Sequence, residues 1–231
     1  ALAEWINSFV PPLTGPLPSP WQHQDIGDVA IAGDASYTTN GAIFNVTGAG
    51  DDIWNTADSF HYVYQHLSGD CEITARVLSV MDTFPWAKAG VMIRENLTPG
   101  ARNAFVALTP QNGVEYQWRS TASGESFYEQ GLSVSAPQFL RLTRTNNSFK
   151  AFYSADGSNW IQFPSALTIN MPSNATAGLA VSAVNRDALN TATFDSVRVR
   201  SNGVTDSDGD GLPDSYELAN GLDKDNPNDA A

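Results

Sequence analysis

Apolar and polar residues alternate along most of the chain between residues 21 and 200. In the segment GDCEITARV, apolar side chains occupy every second position from Cys71 to Val77, and polar side chains lie between them. The segment WAKAGVMIRE repeats this pattern from Ala89 to Ile93. A period of two residues is typical of a β-strand that has one face in a core. The pattern therefore predicts strands through most of the chain.

Turn signals separate these strands at short intervals. Asn112-Gly113 lies between two alternating runs, and Asn146-Asn147 and Asp156-Gly157 mark two further turns. Such dipeptides favour tight hairpins between antiparallel strands. About ten to fourteen strands are expected, with no helix before Pro213. The predicted fold class is all-β, an antiparallel β-sandwich of the jelly-roll type, with a short C-terminal loop and helix.

Composition divides the 231 residues into three predicted parts. Residues 1–20 carry five prolines and form a lead-in, residues 21–200 form the β-sandwich, and residues 201–231 form a connector. The net charge is −13, and the connector holds 8 of the 25 acidic residues. This balance argues against nucleic acid and anionic membranes as partners. No apolar run approaches the roughly 20 residues that cross a bilayer, so no membrane insertion is expected. Cys71 is the single cysteine, which excludes an internal disulfide and a cysteine-based zinc site.

The connector contains DSDGDGLPDSYE, which has the spacing of a twelve-residue calcium loop. Carboxylates occur at positions 1, 3, 5, 9 and 12, a glycine occurs at position 6, and a backbone carbonyl is available at position 7. Oxygen ligands in this number suit calcium better than zinc or copper. The predicted calcium ligands are Asp206, Asp208, Asp210, Leu212, Asp214 and Glu217.

The surrounding segment, TDSDGDGLPDSYELANGLDKDNPND, resembles the thrombospondin type 3 repeats of bacterial secreted proteins. This resemblance implies a short calcium-binding unit that stiffens the connection between modules. One full unit is present, and the acidic residues after it are similar to the start of another. The hypothesis is that the chain belongs to a longer parent protein and contacts other domains of it.

A second resemblance covers residues 21–200. The runs GDDIWNTADSFHYVYQHLSGDCEITARV, WAKAGVMIRENL, YSADGSNW and LNTATFDSVRV are similar to the concanavalin A-like lectin/glucanase-type jelly-roll modules of bacterial secreted proteins. The resemblance implies two antiparallel sheets, one of them concave. Many members bind sugars, some hydrolyse glucans, and many have no assigned ligand. The fold therefore leaves the function open.

Catalysis is not expected from these residues. The glucanases of that superfamily carry the pattern Glu-x-Asp-x-x-Glu on one strand, which places carboxylates on one face. This chain offers Asp70-x-Glu72 without the third carboxylate, and the adjacent Arg94 and Glu95 face opposite sides of a strand. We therefore expect the chain not to be an enzyme.

Sugar binding needs flat aromatic rings beside polar groups that form hydrogen bonds to hydroxyls. Trp54 lies among acidic and polar residues, although a tryptophan that closes the end of the sandwich is an equal alternative. Trp86 begins a strand that also carries Lys88 and Arg94. Either Trp118 or its neighbour Arg119 is expected to reach a ligand. The candidate ligand-binding residues are Trp54, Asp58, His61, Trp86, Lys88, Arg94, Trp118 and Arg119.

These observations predict a non-catalytic carbohydrate-binding module of a secreted or cell-surface protein that degrades polysaccharide, with polysaccharide as its partner and calcium as its cofactor. Two alternatives remain open. One is a structural or adhesive module that binds protein, for which a flat apolar patch is expected. The other is a polysaccharide hydrolase or lyase, which requires two carboxylates, or a base near an arginine, in one cleft.

Overall fold

The computed structural model describes residues 14–202, 212, 214–226 and 228. Seventeen strands and one helix occur in this part of the chain. In chain order the strands are β1 (Thr14–Gly15), β2 (Gln22–Ile26), β3 (Asp34–Thr38), β4 (Ile43–Gly48), β5 (Asp52–Trp54), β6 (Ala57–Ser68), β7 (Asp70–Val80), β8 (Lys88–Arg94), β9 (Asn103–Thr109), β10 (Gly113–Arg119), β11 (Phe127–Gln130), β12 (Gln138–Thr145), β13 (Ser148–Ser154), β14 (Ile161–Gln162), β15 (Leu167–Thr168), β16 (Asn174–Ser182) and β17 (Asn190–Asn202). The helix α1 spans Asp214–Asn220.

The strands form two antiparallel sheets. The nine-stranded sheet has the order β1-β3-β4-β17-β7-β12-β13-β14, and β15 pairs with β13. The eight-stranded sheet has the order β11-β10-β9-β8-β16-β6-β2, and β5 pairs with β6. The all-β sandwich of jelly-roll type is therefore confirmed. The hairpin predicted at Asn112-Gly113 joins β9 to β10, with Gly113 at a φ of 76°.

The main core lies between the two sheets and follows the alternation in the sequence. Cys71, Ile73, Ala75 and Val77 of β7 are all buried in it, and Ala89 at the start of β8 joins them. Burial raises the pKa of the Cys71 thiol to about 12, so the cysteine is a neutral packing residue at neutral pH.

The eight-stranded sheet is also buried on much of its outer face. Every residue of β8 is buried, including those at the polar positions of the pattern. The outer face carries a second apolar cluster, which consists of Ile26, Ile53, Phe60, Tyr62, Tyr64, Met92, Phe105, Ala107 and Ala180. Leu97, from the segment between β8 and β9, packs against this cluster. Lys88, Met92 and Arg94 share this outer face of β8, and all three side chains are buried.

Both ends of the described chain contact the sandwich. β1 pairs with β3, and β17 continues to Asn202. The Tyr216 ring of α1 lies 4.7 Å from the His66 ring of β6, between centroids. Residues 1–13 of the predicted lead-in lie outside the described residues. In the described part of the chain, no helix has the length and apolar character that a membrane span needs.

Candidate functional site

A cleft lined by aromatic rings opens at one end of the eight-stranded sheet. Its volume is about 280 Å³. We call it the aromatic cleft. Its lining residues are Asp52, Trp54, Phe84, Trp86, Lys88, Glu115, Gln117, Tyr128 and Val184. They come from β5, β8, β10 and β11 and from the segments before β8 and after β16. The site is therefore assembled from strands that are distant in sequence.

Three rings form most of the cleft wall. The Tyr128 ring centroid lies 5.7 Å from that of Trp54 at an interplanar angle of 74°, and 6.1 Å from that of Trp86 at 80°. These edge-to-face contacts fix the rings without stacking one face on another. Tyr128 is 48% exposed, and Phe84, which also lines the cleft, is 45% exposed. Aromatic surface is therefore available to a ligand at the mouth of the cleft.

The floor of the aromatic cleft carries buried charge. Lys88 Nζ donates to Asp52 Oδ1 at 2.6 Å and to the Trp86 carbonyl at 3.2 Å. It also lies 3.8 Å from Glu115 Oε1, which is an ion-pair contact longer than a hydrogen bond. Burial raises the pKa of Glu115 to about 7, while the Lys88 ammonium opposes that rise and the Asp52 carboxylate adds to it. Glu115 therefore titrates near neutral pH.

Two acceptors on this floor lack donors. Glu115 and Gln117 alternate along β10, so both side chains point to the same side of the sheet. Within residues 14–202, neither Glu115 Oε1 nor Gln117 Oε1 accepts a hydrogen bond, although both atoms are buried. Buried polar atoms are rarely left in this state, because each costs about 1–3 kcal/mol. A ligand that brings hydroxyl or N–H donors would satisfy both.

The titration of Glu115 predicts a specific pH dependence of stability. The folded-state pKa of about 7 is above the ordinary 4.5, so the folded protein binds more protons than the unfolded chain between these values. Glu115 therefore lowers the free energy of unfolding as pH rises through this window. E115Q should be close to the wild type in stability at pH 4.5 and more stable by about 3 kcal/mol at pH 8. Urea denaturation at both pH values measures this.

E125Q, at an exposed position, is the matched control, because it also removes one carboxylate. The free energy of unfolding of E125Q should equal that of the wild type at both pH values. If the free energy of unfolding changes with pH in the same way for E115Q as for the wild type, Glu115 does not have the raised pKa. The comparison isolates Glu115, since the two variants each lose one carboxylate and differ in whether that carboxylate is buried.

A buried ionic network lies behind the cleft. Asp58 accepts from Arg94 Nη1 at 2.9 Å and from Arg119 Nη2 at 2.6 Å, and Asn103 Nδ2 donates to it at 3.3 Å. The side chains of Asp58, Arg94 and Arg119 are 0% exposed. Since these groups are buried and bonded within the chain, they do not contact a ligand in the aromatic cleft. Asp58 also lines the second cavity described below, and ligand contact by Arg94 and Arg119 stays a prediction.

The network instead holds the cleft wall in place. Arg119 Nη2 donates to the carbonyl oxygens of Trp54 and Asn55, both at 3.1 Å. It also donates to Ser126 Oγ at 3.0 Å, and Ser126 lies two residues before Tyr128. One guanidinium thus fixes the backbone beside two of the three wall rings. We regard Arg119 as a positioning residue.

His61 and Trp118 lie on the other face of the sheet from the floor residues. His61 Nδ1 lies within hydrogen-bond distance of Asp25 Oδ1, at 2.7 Å, and His61 Nε2 lies 3.0 Å from His23 Nδ1. Burial lowers the pKa of His61, and Asp25 partly offsets this. Trp118 is half-buried and packs on Tyr116 and Phe127. Neither residue lines the aromatic cleft.

Of the eight predicted ligand-binding residues, the structure brings Trp54, Trp86 and Lys88 together in one cleft. The sequence analysis missed the remaining lining residues, which are Asp52, Phe84, Glu115, Gln117, Tyr128 and Val184. The alternation Glu115-x-Gln117-x-Arg119 in the predicted hairpin was an available signal for the floor. Nothing local marked Tyr128, because β11 is a short edge strand with both neighbouring segments irregular.

A second cavity of about 520 Å³ adjoins the first. Asp52 and Trp54 line both cavities, and Asp28, Asp51 and Arg186 lie on the rim of the second. Arg186 donates to Asp28 Oδ2 at 2.9 Å across this rim. Trp54 therefore stands between two adjoining depressions.

The predicted calcium loop is described only in its second half. Asp206, Asp208 and Asp210 lie outside the described residues. Leu212 is buried, and Asp214 and Glu217 lie in the first turn of α1, with Glu217 fully buried. Among the described residues, no three acidic, histidine or cysteine side chains cluster as metal ligands. The carboxylate at position 12 of the loop, Glu217, therefore lies inside the fold.

Comparison with known proteins shows the fold. No protein-family model and no curated protein sequence matches the chain. A functionally unknown protein from Saccharomyces cerevisiae superposes with a TM-score of 0.60 at 14% identity, covering 79% of this chain and 96% of that one. A xylan β-1,4-xylosidase from Bacillus halodurans superposes with a TM-score of 0.53 at 11% identity, covering 69% of this chain and 33% of that one. Lectin II from Ulex europaeus superposes with a TM-score of 0.52 at 11% identity, covering 83% and 99%. At these identities the similarity establishes a lectin-like jelly-roll fold.

Proposed function

We propose that this chain is a non-catalytic carbohydrate-binding module of a secreted, multidomain protein that acts on polysaccharide. The observation that carries this proposal is the aromatic cleft, in which exposed rings surround two buried acceptors without donors. Aromatic faces pack on the C–H faces of sugar rings. Glu115 Oε1 and Gln117 Oε1 would accept hydrogen bonds from sugar hydroxyls, and Lys88 fixes the floor.

The geometry favours a glycan chain over a single sugar. Trp54 stands between the aromatic cleft and the larger second cavity, so a chain that crosses its ring would have sugar units in both depressions. Such a module keeps its parent protein close to an insoluble or polymeric substrate and raises the local concentration of that substrate. This role requires binding without chemistry.

The comparisons support this proposal at the level of fold. A lectin and a xylosidase carry the same architecture, and both names refer to proteins that act on or bind carbohydrate. Fold alone does not determine function, so the proposal depends on the cleft.

Affinity electrophoresis against a panel of neutral and acidic polysaccharides tests the proposal. Migration should be retarded by at least one neutral polymer. The variant W86A should abolish most of that retardation, while W160A, whose ring lies outside the cleft, should retain it. If no neutral polymer retards the wild type, the proposal that the aromatic cleft binds carbohydrate fails, and a protein partner becomes the better explanation for the cleft.

Glycan hydrolysis is a second candidate, and Glu115 is the observation that favours it. Glu115, whose pKa is raised to about 7, lines the same cleft as the Asp52 carboxylate. Glycoside hydrolases use two carboxyl groups in one cleft, one as the general acid and the other as the base or nucleophile. Asp52 Oδ1 is already engaged by Lys88 Nζ and by the Ile53 amide at 2.7 Å, which makes it a poor nucleophile or base. Incubation with each polymer that binds should release no reducing ends. Release that E115Q abolishes would establish the enzyme instead.

We also propose that residues Asp206–Glu217 bind one calcium ion and stiffen the connector. The buried position of Glu217 and the contact of Tyr216 with His66 support an ordered junction at this end of the chain. The residues that would hold the ion are the predicted oxygen ligands, and the ion would supply charge that offsets their carboxylates.

Replacing both Asp206 and Glu217 with alanine should remove calcium binding, which titration calorimetry measures. Limited proteolysis should then cleave the connector about tenfold faster, because an unligated acidic loop opens more often. Unfolding of the sandwich should stay cooperative. If EDTA instead unfolds the whole sandwich, calcium is part of the core and the connector is not a separate element.

A further inference from the structure

The outer face of the nine-stranded sheet concentrates positive charge. Five of the twelve lysine and arginine residues lie there. We call this surface the basic face. It consists of Arg76 on β7, Arg141 on β12, Lys150 on β13, and Arg198 and Arg200 on β17. The register shows that these side chains are on the outside, because the residues between them are buried in the main core.

Strand pairing arranges these cations in rows across the sheet. Arg198 is opposite Thr74, and Thr74 is opposite Arg141, which places both arginines in one row. The next row contains Arg200 and Lys150 at the corresponding positions. Neighbouring strands lie about 4.8 Å apart, so the cations within a row are roughly 10–15 Å apart. The rows form a patch that a polymer can follow.

The patch contrasts with the rest of the chain. The four strands that carry these cations, β7, β12, β13 and β17, hold three carboxylates on the same face, Asp70, Glu72 and Asp195, so this part of the sheet has a net charge of +2 against −13 for the whole chain. Asp195 is paired with Arg76. Within the described residues, none of the other four cations on the face forms a salt bridge, and Arg198 and Arg200 are exposed. These positive groups are therefore available to an external anion.

Aromatic rings fix part of the basic face. The Arg141 guanidinium carbon lies 4.2 Å from the Trp160 ring centroid and 4.5 Å from that of Phe152. Arg76 lies 5.2 Å from the Phe139 ring centroid. Stacking of this kind holds a guanidinium plane in a defined orientation, which lowers the entropy lost when it binds a carboxylate. The Nε of Arg141 is buried without a hydrogen-bond partner within residues 14–202.

We propose that the basic face is a second binding surface, and that it takes an acidic polysaccharide. Charge complementarity selects a polyanion, and planar arginines between flat rings suit sugar rings that carry carboxylate or sulfate groups. A nucleic acid is the less favoured polyanion, because binding to its phosphates needs many clustered cations, whereas the net charge of the chain is −13. The basic face lies on the opposite sheet from the aromatic cleft, so the two surfaces bind independently.

Affinity electrophoresis against polygalacturonate tests this surface. The wild type should be retarded in low salt, and retardation should fall as salt is raised. The double variant R198Q/R200Q removes two exposed cations and should weaken the interaction about tenfold. The matched control R102Q/K224Q makes the same change in net charge elsewhere and should bind like the wild type. Absence of retardation in low salt, or equal loss in the control, would overturn the proposal.

Further polymers and variants identify the ligand class and distinguish binding at the basic face from binding in the aromatic cleft. Dextran sulfate in place of polygalacturonate distinguishes sulfate from carboxylate recognition, and retardation by either supports an acidic glycan. If single-stranded DNA retards the protein at least as strongly as polygalacturonate and dextran sulfate do, the proposal of an acidic polysaccharide is contradicted. W54A should leave binding of the polyanion unchanged, and R198Q/R200Q should leave binding of neutral glycans unchanged. Failure of the cleft alone is therefore distinguishable from failure of the basic face.

Discussion

Replacing Trp54 with alanine is expected to weaken binding of a neutral polysaccharide by at least about thirtyfold, or 2 kcal/mol, because central aromatic residues dominate binding energies. The Trp54 ring lines both cavities and packs edge-to-face on Tyr128. The substitution removes the surface on which a sugar ring would stack, and it also removes the ring contact that holds Tyr128. Affinity electrophoresis or calorimetry with the polymer that binds best measures the effect.

The control for this experiment is W160A. Trp160 is also a half-buried tryptophan in contact with another ring, but it lies on the nine-stranded sheet side. W160A should bind neutral glycan within about twofold of the wild type. Circular dichroism should show that both variants are folded. Equal losses in the two variants would place the glycan outside the aromatic cleft.

Replacing Asp58 with alanine is expected to lower the free energy of unfolding by about 3–5 kcal/mol, because it leaves two buried guanidinium groups without their carboxylate. Asp58 is the common acceptor of Arg94 and Arg119, and all three side chains are fully buried. Urea denaturation of D58A against the wild type measures the loss. Because Arg119 also holds the backbone of Trp54, glycan binding should weaken as well.

D195A is the matched control for this variant. Asp195 pairs with Arg76 at a position where the arginine is about one-third exposed. Water solvates the remaining charge there, so D195A should cost less than about 1 kcal/mol. If D58A lowers the free energy of unfolding as little as D195A does, the buried network does not support the cleft.

Local sequence patterns were enough to predict the fold, but they predicted only part of the candidate site. Strand alternation around Cys71 and the turn at Asn112-Gly113 were enough to predict an antiparallel sandwich. Both signals concern residues that are adjacent or close in sequence, where period and turn chemistry act directly. The two-sided burial of β8 was not predictable in this way, because Ile53 and Leu97, from other segments, cover its outer face.

The candidate site shows the same division. Trp54 and Trp86 stood out as rings among polar residues, and both line the cleft. Arg94 and Arg119 stood out as charged residues of β8 and β10, yet both donate hydrogen bonds to Asp58 within the structure. A sequence does not show whether an arginine faces a ligand or a buried carboxylate 61 positions away. Asp52, Lys88 and Glu115 likewise meet only because β5, β8 and β10 are brought together by the fold.

The measurement that tests the central claim most directly is an NMR titration of the tryptophan indole N–H signals with a neutral polysaccharide or its oligosaccharides. The chain contains six tryptophans, so each signal can be assigned by single substitution. Our account predicts that the signals of Trp54 and Trp86 shift or broaden on addition of glycan, while that of Trp160 stays unchanged. Shifts confined to tryptophans outside the aromatic cleft, or none with any neutral glycan, would contradict it.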